Sequence, residues 1–173
     1  MDEVIIFMAR DLFVAVVLIW VLTYFLINRS KRLEFVIALA AAATIALLLD
    51  KIAAALYFHP RPFTVSNVNP LIPHSADNGF PSGHTLLVMT LTTLIYFYHR
   101  RLAAAALILS LLVGAGRVGA HVHSWIDILG GIAIGIIAGY ISVQIAKFIV
   151  SRSNARQLKD HHSPEEQVRH SRR

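Results

Sequence analysis

The sequence predicts an all-α fold, an integral-membrane helical bundle of about five transmembrane helices. Three observations carry that prediction. Of 173 residues, 56% are hydrophobic and only 15% are charged, against about 45–50% and about 25% in a soluble domain. The apolar residues gather into runs long enough for helices to cross a hydrocarbon core of about 30 Å. The basic residues collect in alternate connecting segments, as they do in multi-pass chains. Zero cysteines exclude a disulfide scaffold, a thiol nucleophile and cysteine-ligated zinc or iron–sulfur sites. So apolar a chain has enough surface to bury against its ordering entropy everywhere except in a polar tail. Nine histidines in such a chain are the unusual feature.

The opening MDEVIIFMAR begins with acidic charges, and no small-residue cleavage site follows the apolar run. It reads as a short interfacial helix over Val4 to Met8 rather than a signal peptide. The first span is the uncharged run Leu12 to Asn28. A second starts near Leu33 and reaches Phe58 with Asp50 and Lys51 inside it, and a third runs from His84 to Tyr98. The fourth covers Leu102 to about Gly116 and the fifth Trp125 to Val150. Residues 1–150 therefore form one membrane domain. Residues 151–173 have no apolar periodicity and read as a basic, disordered tail.

Arg29, Lys31 and Arg32 follow the first span, His99, Arg100 and Arg101 the third, and Arg152, Arg156 and Lys159 the fifth. These segments alternate, so they share one face, which the charge bias assigns to the cytoplasm together with the tail. The loops 59–82 and 117–124 then lie together outside. They bring His59, Arg61, His74, Asp77, Ser82, His84, Arg117, His121 and His123 to one face, with Asp127 just inside the fifth span. Arginine there runs against the bias, and a phosphate-bearing ligand explains it, because guanidinium pairs with phosphate oxygens in bidentate geometry.

Pro81-Ser82-Gly83-His84 opens the third span. A helix N-terminus offers free N–H groups, Gly83 permits close approach, Ser82 adds a hydroxyl, and His84 is placed for proton transfer. Taken without His84, the same residues describe an ordinary Pro/Ser helix start. His123 and Asp127 are four apart and share a helical face, so the carboxylate can accept the Nδ1–H and leave Nε2 free to attack. Ser124 and Asp127 also fit a capping box, and both readings can hold together. His121-x-His123 with Asp127 is an alternative metal set that lacks a third histidine in register. Gly131, Gly135 and Gly139, spaced by four, mark close helix packing.

Arg61-Pro62, the PSGH of Pro81 to His84, and R-x5-H-x3-D from Arg117 through His123 to Asp127 resemble the three motifs of the type 2 phosphatidic acid phosphatase superfamily. That superfamily comprises membrane lipid phosphatases with a core like that of chloroperoxidase. YFHPRPF and LIPHSADNGFPSGHT resemble its bacitracin-resistance type of undecaprenyl-diphosphatase. The resemblance implies hydrolysis of undecaprenyl diphosphate to undecaprenyl phosphate in the bacterial plasma membrane, with the site on the extracytoplasmic face. His123 would be the nucleophile that forms a phosphohistidine, Asp127 would orient it, and His84 would protonate the departing oxygen. Arg61, Arg117, Ser82 and Gly83 would bind the phosphoryl group. No metal or other cofactor is expected, and the partners are a lipid substrate and the bilayer rather than nucleic acid. Two positions depart from the motifs. The first motif wants a lysine at position 54, which is Ala54, and the expected substitute is Lys51, its long stem reaching up to the phosphate. A polar partner inside the bundle is the other role open to Lys51. The third motif usually begins Ser-Arg, and here Gly116 replaces the serine. Other substrates to weigh are phosphatidate and phosphatidylglycerol phosphate, and another class is a lipid or anion transporter.

Overall fold

The computed structural model describes residues 1–66 and 68–161. Among them are seven helices: α1 (Asp2–Arg10), α2 (Phe13–Leu26), α3 (Arg29–Leu56), α4 (Pro62–Val65), α5 (Gly83–Tyr98), α6 (Arg100–Gly119) and α7 (Trp125–His161). No strand occurs among the described residues, and one isolated bridge joins Pro60 to Asn78. The five expected runs fall on α2, α3, α5, α6 and α7. By length and composition α3, α6 and α7 can each cross a membrane, and the bent pair α1 and α2, at 42° to one another, makes a fourth candidate. α5 is apolar but has only 16 residues.

Two boundaries differ from expectation. α7 continues beyond Val150 to His161, with the Arg152 guanidinium stacked over Phe148, so the basic segment begins as helix. The rest of the expected tail, residues 162–173, lies outside the described residues. α1 is longer than the expected Val4 to Met8 segment and packs against protein. Ala9 is buried in a cluster with Ile72, Ala120 and Val122, flanked by Ile5 and Ile6. An apolar stripe against the end of α6 holds α1 in place.

α5 is the centre of the bundle. Its Thr85, Leu86, Val88, Met89, Thr90, Leu91, Thr92, Leu94 and Ile95 are all buried, as expected of a helix covered on nearly every side. α7 lies tightly along it because of the glycine stripe. A Cβ at Gly131 would fall 2.8 Å from the Ser82 carbonyl oxygen, one at Gly135 2.7 Å from that of Leu86, and one at Gly139 2.7 Å from the Thr93 Cβ. Thr92 and Ser110 join α5 to α6 by a 2.9 Å hydrogen bond between hydroxyls. The outer faces carry exposed Leu47, Leu48 and Ile52 on α3, Ile108 and Leu111 on α6, and Ile136 and Ile137 on α7. So broad an apolar exterior suits lipid rather than water.

Candidate functional site

The site lies where α3 ends, α5 begins, α6 ends and α7 begins, closed over by the loop 57–82. Arg61 precedes α4 and is 7% exposed. Its Nε donates to Asp77 Oδ1 at 2.7 Å, Nη1 to the Val122 carbonyl at 2.9 Å and Nη2 to the Asn78 carbonyl at 3.3 Å. Arg117, in the last turn of α6, is 3% exposed. Its Nη1 donates to the Ala9 carbonyl at 3.4 Å and Nη2 to His74 Nε2 at 3.1 Å. Its buried Nε has no partner, and among the described residues no carboxylate pairs with it.

Both guanidinia converge on His123, Arg61 Nη1 at 3.2 Å and Arg117 Nη2 at 3.4 Å from Nε2. His123 Nδ1 lies 2.9 Å from the Gly79 carbonyl oxygen. A carbonyl only accepts, so Nδ1 carries the proton and Nε2 the lone pair. Burial pushes the His123 imidazole below its ordinary value. The nearby Asp127 carboxylate opposes that shift, and the two arginines reinforce it. The ring is therefore neutral near pH 7. His74 is neutral too: burial first, then Arg61, Arg117 and His123, push it down to about 4. The Asp77 carboxyl sits below the usual range chiefly through its hydrogen bond from Arg61.

The expected contact between His123 and Asp127 is longer than a good hydrogen bond. Nδ1 and Oδ2 are 3.5 Å apart. The carboxylate is occupied elsewhere: Oδ2 accepts the Ser124 backbone N–H at 2.7 Å, one half of the expected capping box, and Oδ1 faces His59 Nδ1 at 3.0 Å. Ser82 is fully buried before α5, its backbone N–H donating to the Asp127 carbonyl at 3.0 Å and its Oγ accepting from Thr85 Oγ1 at 3.1 Å. A Cβ at Gly83 would meet nothing within 4 Å, so the helix N-terminus opens onto free space. His84 packs edge-on to Phe13 with centroids 5.5 Å apart, and its electrostatic neighbours are Arg117, His123 and His74.

Lys51 does not join this cluster. It is exposed on α3 with Asp50 as its charged neighbour, because three residues amount to about 300° around a helix and leave it on a different line from position 54. The Ala54 carbonyl instead accepts from Asn78 Nδ2 at 2.9 Å. Gly116 has a structural reason: a Cβ there would fall 2.6 Å from Met8 Cβ and 2.7 Å from the Ala9 nitrogen, so α1 occupies the place of a serine side chain. His121 holds the turn with φ of 61°, and only His123 of the His-x-His pair enters the cluster. Among the described residues no three or more His, Cys, Asp or Glu side chains are placed so as to hold a metal ion together.

Sequence reasoning placed His59, His74 and Asp77 on this face without roles and gave none to Asn78 or Gly79. Asn78 clamps the loop, its Oδ1 accepting from the His59 and Phe80 backbone N–H groups, both at 3.0 Å. The Asn-Gly pair is a turn signal, but nothing local reveals partners some twenty residues away. Beside the cluster, a cavity of about 400 Å³ runs between α3 and α5, lined by Leu39, Ala42, Ala46, Asp50 and Leu86 and reaching Gly83.

A neutral imidazole that presents a lone pair between two buried guanidinia combines a nucleophile with an anion pocket. The chain is 30% identical over 141 residues to undecaprenyl-diphosphatase BcrC of Bacillus subtilis (strain 168), covering 82% of this chain and 72% of that one. It is 34% identical to the bacitracin transport permease protein BcrC of Bacillus licheniformis, covering 66% of this chain and 57% of that one. The fold matches the crystal structure of the first transmembrane PAP2-type phosphatidylglycerolphosphate phosphatase from Bacillus subtilis, with a TM-score of 0.61 and 21% identity over 86% of this chain and 77% of that one. The family model for the PAP2 superfamily matches residues 34–150, a stretch that holds every member of the cluster, and the chain belongs to the PAP2 superfamily.

Proposed function

We propose that the protein is an integral-membrane lipid phosphatase, an undecaprenyl-diphosphatase that releases the terminal phosphate of undecaprenyl diphosphate outside the cytoplasm of a bacterial cell. The observation that carries this reading is Arg117: a guanidinium 3% exposed, with no carboxylate partner among the described residues and an unpaired Nε, set against an imidazole lone pair. A buried cation left in that state calls for an anion. In the reaction, His123 Nε2 attacks the terminal phosphorus in line. The bond from phosphorus to the bridging oxygen breaks, its electron pair stays on undecaprenyl phosphate, and His84 supplies a proton to that oxygen. Arg61, Arg117 and the Ser82–Gly83 cradle hold the equatorial oxygens. A water then attacks the phosphohistidine, giving its proton to His84 and releasing inorganic phosphate and neutral His123. The groove that ends at Gly83 suits the prenyl chain of the same substrate. The bundle crosses the membrane five times, with α1 and α2 as one bent span.

The name carried by the B. licheniformis relative favours a second reading, transport of a lipid or anion. Phosphate release from undecaprenyl diphosphate, phosphatidate and phosphatidylglycerol phosphate, compared at equal surface concentration in detergent, separates the readings. The prenyl substrate is expected to turn over fastest, undiminished by EDTA, and His123→Ala is expected to lose about a thousandfold or more. Full activity in that variant, or none in the native protein, overturns the assignment.

A further inference from the structure

We propose that His59 is a positioning residue for His123, acting on both acceptors available to the His123 Nδ1–H. The first is Asp127. Its carboxylate is wholly buried, and His59 Nδ1 lies 3.0 Å from Oδ1 while the Ser124 N–H takes Oδ2. The two donors together fix the plane of the carboxylate whose Oδ2 is 3.5 Å from His123 Nδ1. The second is the carbonyl of Gly79, 2.9 Å from the same Nδ1. The Gly79 N–H donates at 2.8 Å to the His59 carbonyl, and the His59 N–H is held by Asn78 Oδ1 at 3.0 Å. Gly79 is wedged there, since a Cβ would sit 3.1 Å from both Asp127 Oδ2 and the His59 carbonyl oxygen. The His59 ring stacks on Tyr57, with centroids 6.0 Å apart and 12° between planes.

His59 therefore stands behind the nucleophile on the side away from the two guanidinia, and no phosphate contact is assigned to it. As His123 attacks, positive charge builds on its ring and the Nδ1–H gains most from an anionic acceptor. A carboxylate free to rotate toward bulk water would not be in place at that moment. His59 keeps it there, which serves the chemical step rather than substrate binding.

The role rests on His123 being the nucleophile, and the experiment separates the two. The full-length protein and its His59→Ala, His59→Asn and His123→Ala variants are assayed in detergent for phosphate release from undecaprenyl diphosphate. His59→Ala is expected to lower kcat about tenfold to a hundredfold, with KM within about twofold because uniform binding is untouched. His59→Asn places an amide N–H where Nδ1 was and is expected to recover kcat to within about threefold of the native value. A native kcat in His59→Ala, a change confined to KM, or His59→Asn as slow as His59→Ala overturns the positioning role while His123→Ala remains inactive. An active His123→Ala instead overturns the nucleophile assignment on which the role depends.

Discussion

Arg117 carries a charge that the fold buries against two histidine nitrogens and the Ala9 carbonyl at the end of α1. On the proposed mechanism, truncating it to alanine removes an electrostatic contact to the transferring group, and kcat/KM is expected to fall by about 10² to 10³, read as phosphate release. Arg117→Lys is expected to recover little of that loss, since a single ammonium cannot reach His74, His123 and a phosphate oxygen in the fork that guanidinium offers. The neighbouring imidazoles set a pH dependence. Burial and the arginines hold His123 below 6.5 and His74 at about 4. The acid limb of kcat/KM, which reports the free enzyme's base, is thus expected below pH 6.5 rather than at it. The linkage has a definite sign: between the unfolded value near 6.5 and the lower folded values, the unfolded chain binds protons that the folded one refuses. Thermal stability in detergent is therefore expected to decline as pH falls from about 6.5 to about 4.

Among the elements, α1 is the one whose place in the molecule explains an unusual residue. Gly116→Ser would restore the residue that the superfamily's third motif usually carries, yet the added side chain meets Met8 and Ala9 within 2.8 Å. The variant is expected to lose about 1–3 kcal/mol of stability and part of its activity, since α1 also holds Arg117 through the Ala9 carbonyl. A lowered unfolding temperature with weaker turnover is the expected reading, and a gain in both would contradict it. This dependence was not legible in the sequence, because Met8 and Gly116 are more than a hundred positions apart and only packing joins them. The same holds for His59: its partner is Asp127, 68 residues on, whereas the partner expected of Asp127, His123, sits only four residues from it and is visible by helical spacing. What could be read was periodic or contiguous: the apolar runs, the glycine stripe of α7, the PSGH start of α5, and the arginines out of keeping with their face. Lys51 falls outside that pattern, since a displacement of three residues looks small along the chain and is nearly a full turn around the helix.

At the scale of the molecule, basic side chains mark the end opposite the site: Arg29, Lys31 and Arg32 open α3, Arg100 and Arg101 open α6, and Arg152 and Arg156 lie far along α7. The charge bias predicts that this end faces the cytoplasm. With no native cysteine in the chain, single-cysteine labelling tests it without background. Ser75→Cys, in the loop over the site, is expected to react with a membrane-impermeant maleimide in intact cells, and Ser153→Cys only after permeabilisation; the reverse pattern would invert the molecule. The length of α5 then acquires a meaning of its own. Sixteen residues rise about 24 Å, while the hydrocarbon layer is about 30 Å deep. In the proposed five-span arrangement, with Tyr98, His99 and Arg100 at one surface, the helix would act as a ruler whose other end stops a few ångströms short of the opposite surface. The Ser82–Gly83 cradle would then sit just inside the hydrocarbon boundary, at a depth that a lipid phosphate reaches from within its own leaflet. Inserting one helical turn into α5 would lift the cradle about 5.4 Å toward water, out of step with the lipid phosphates that the proposed reaction needs there.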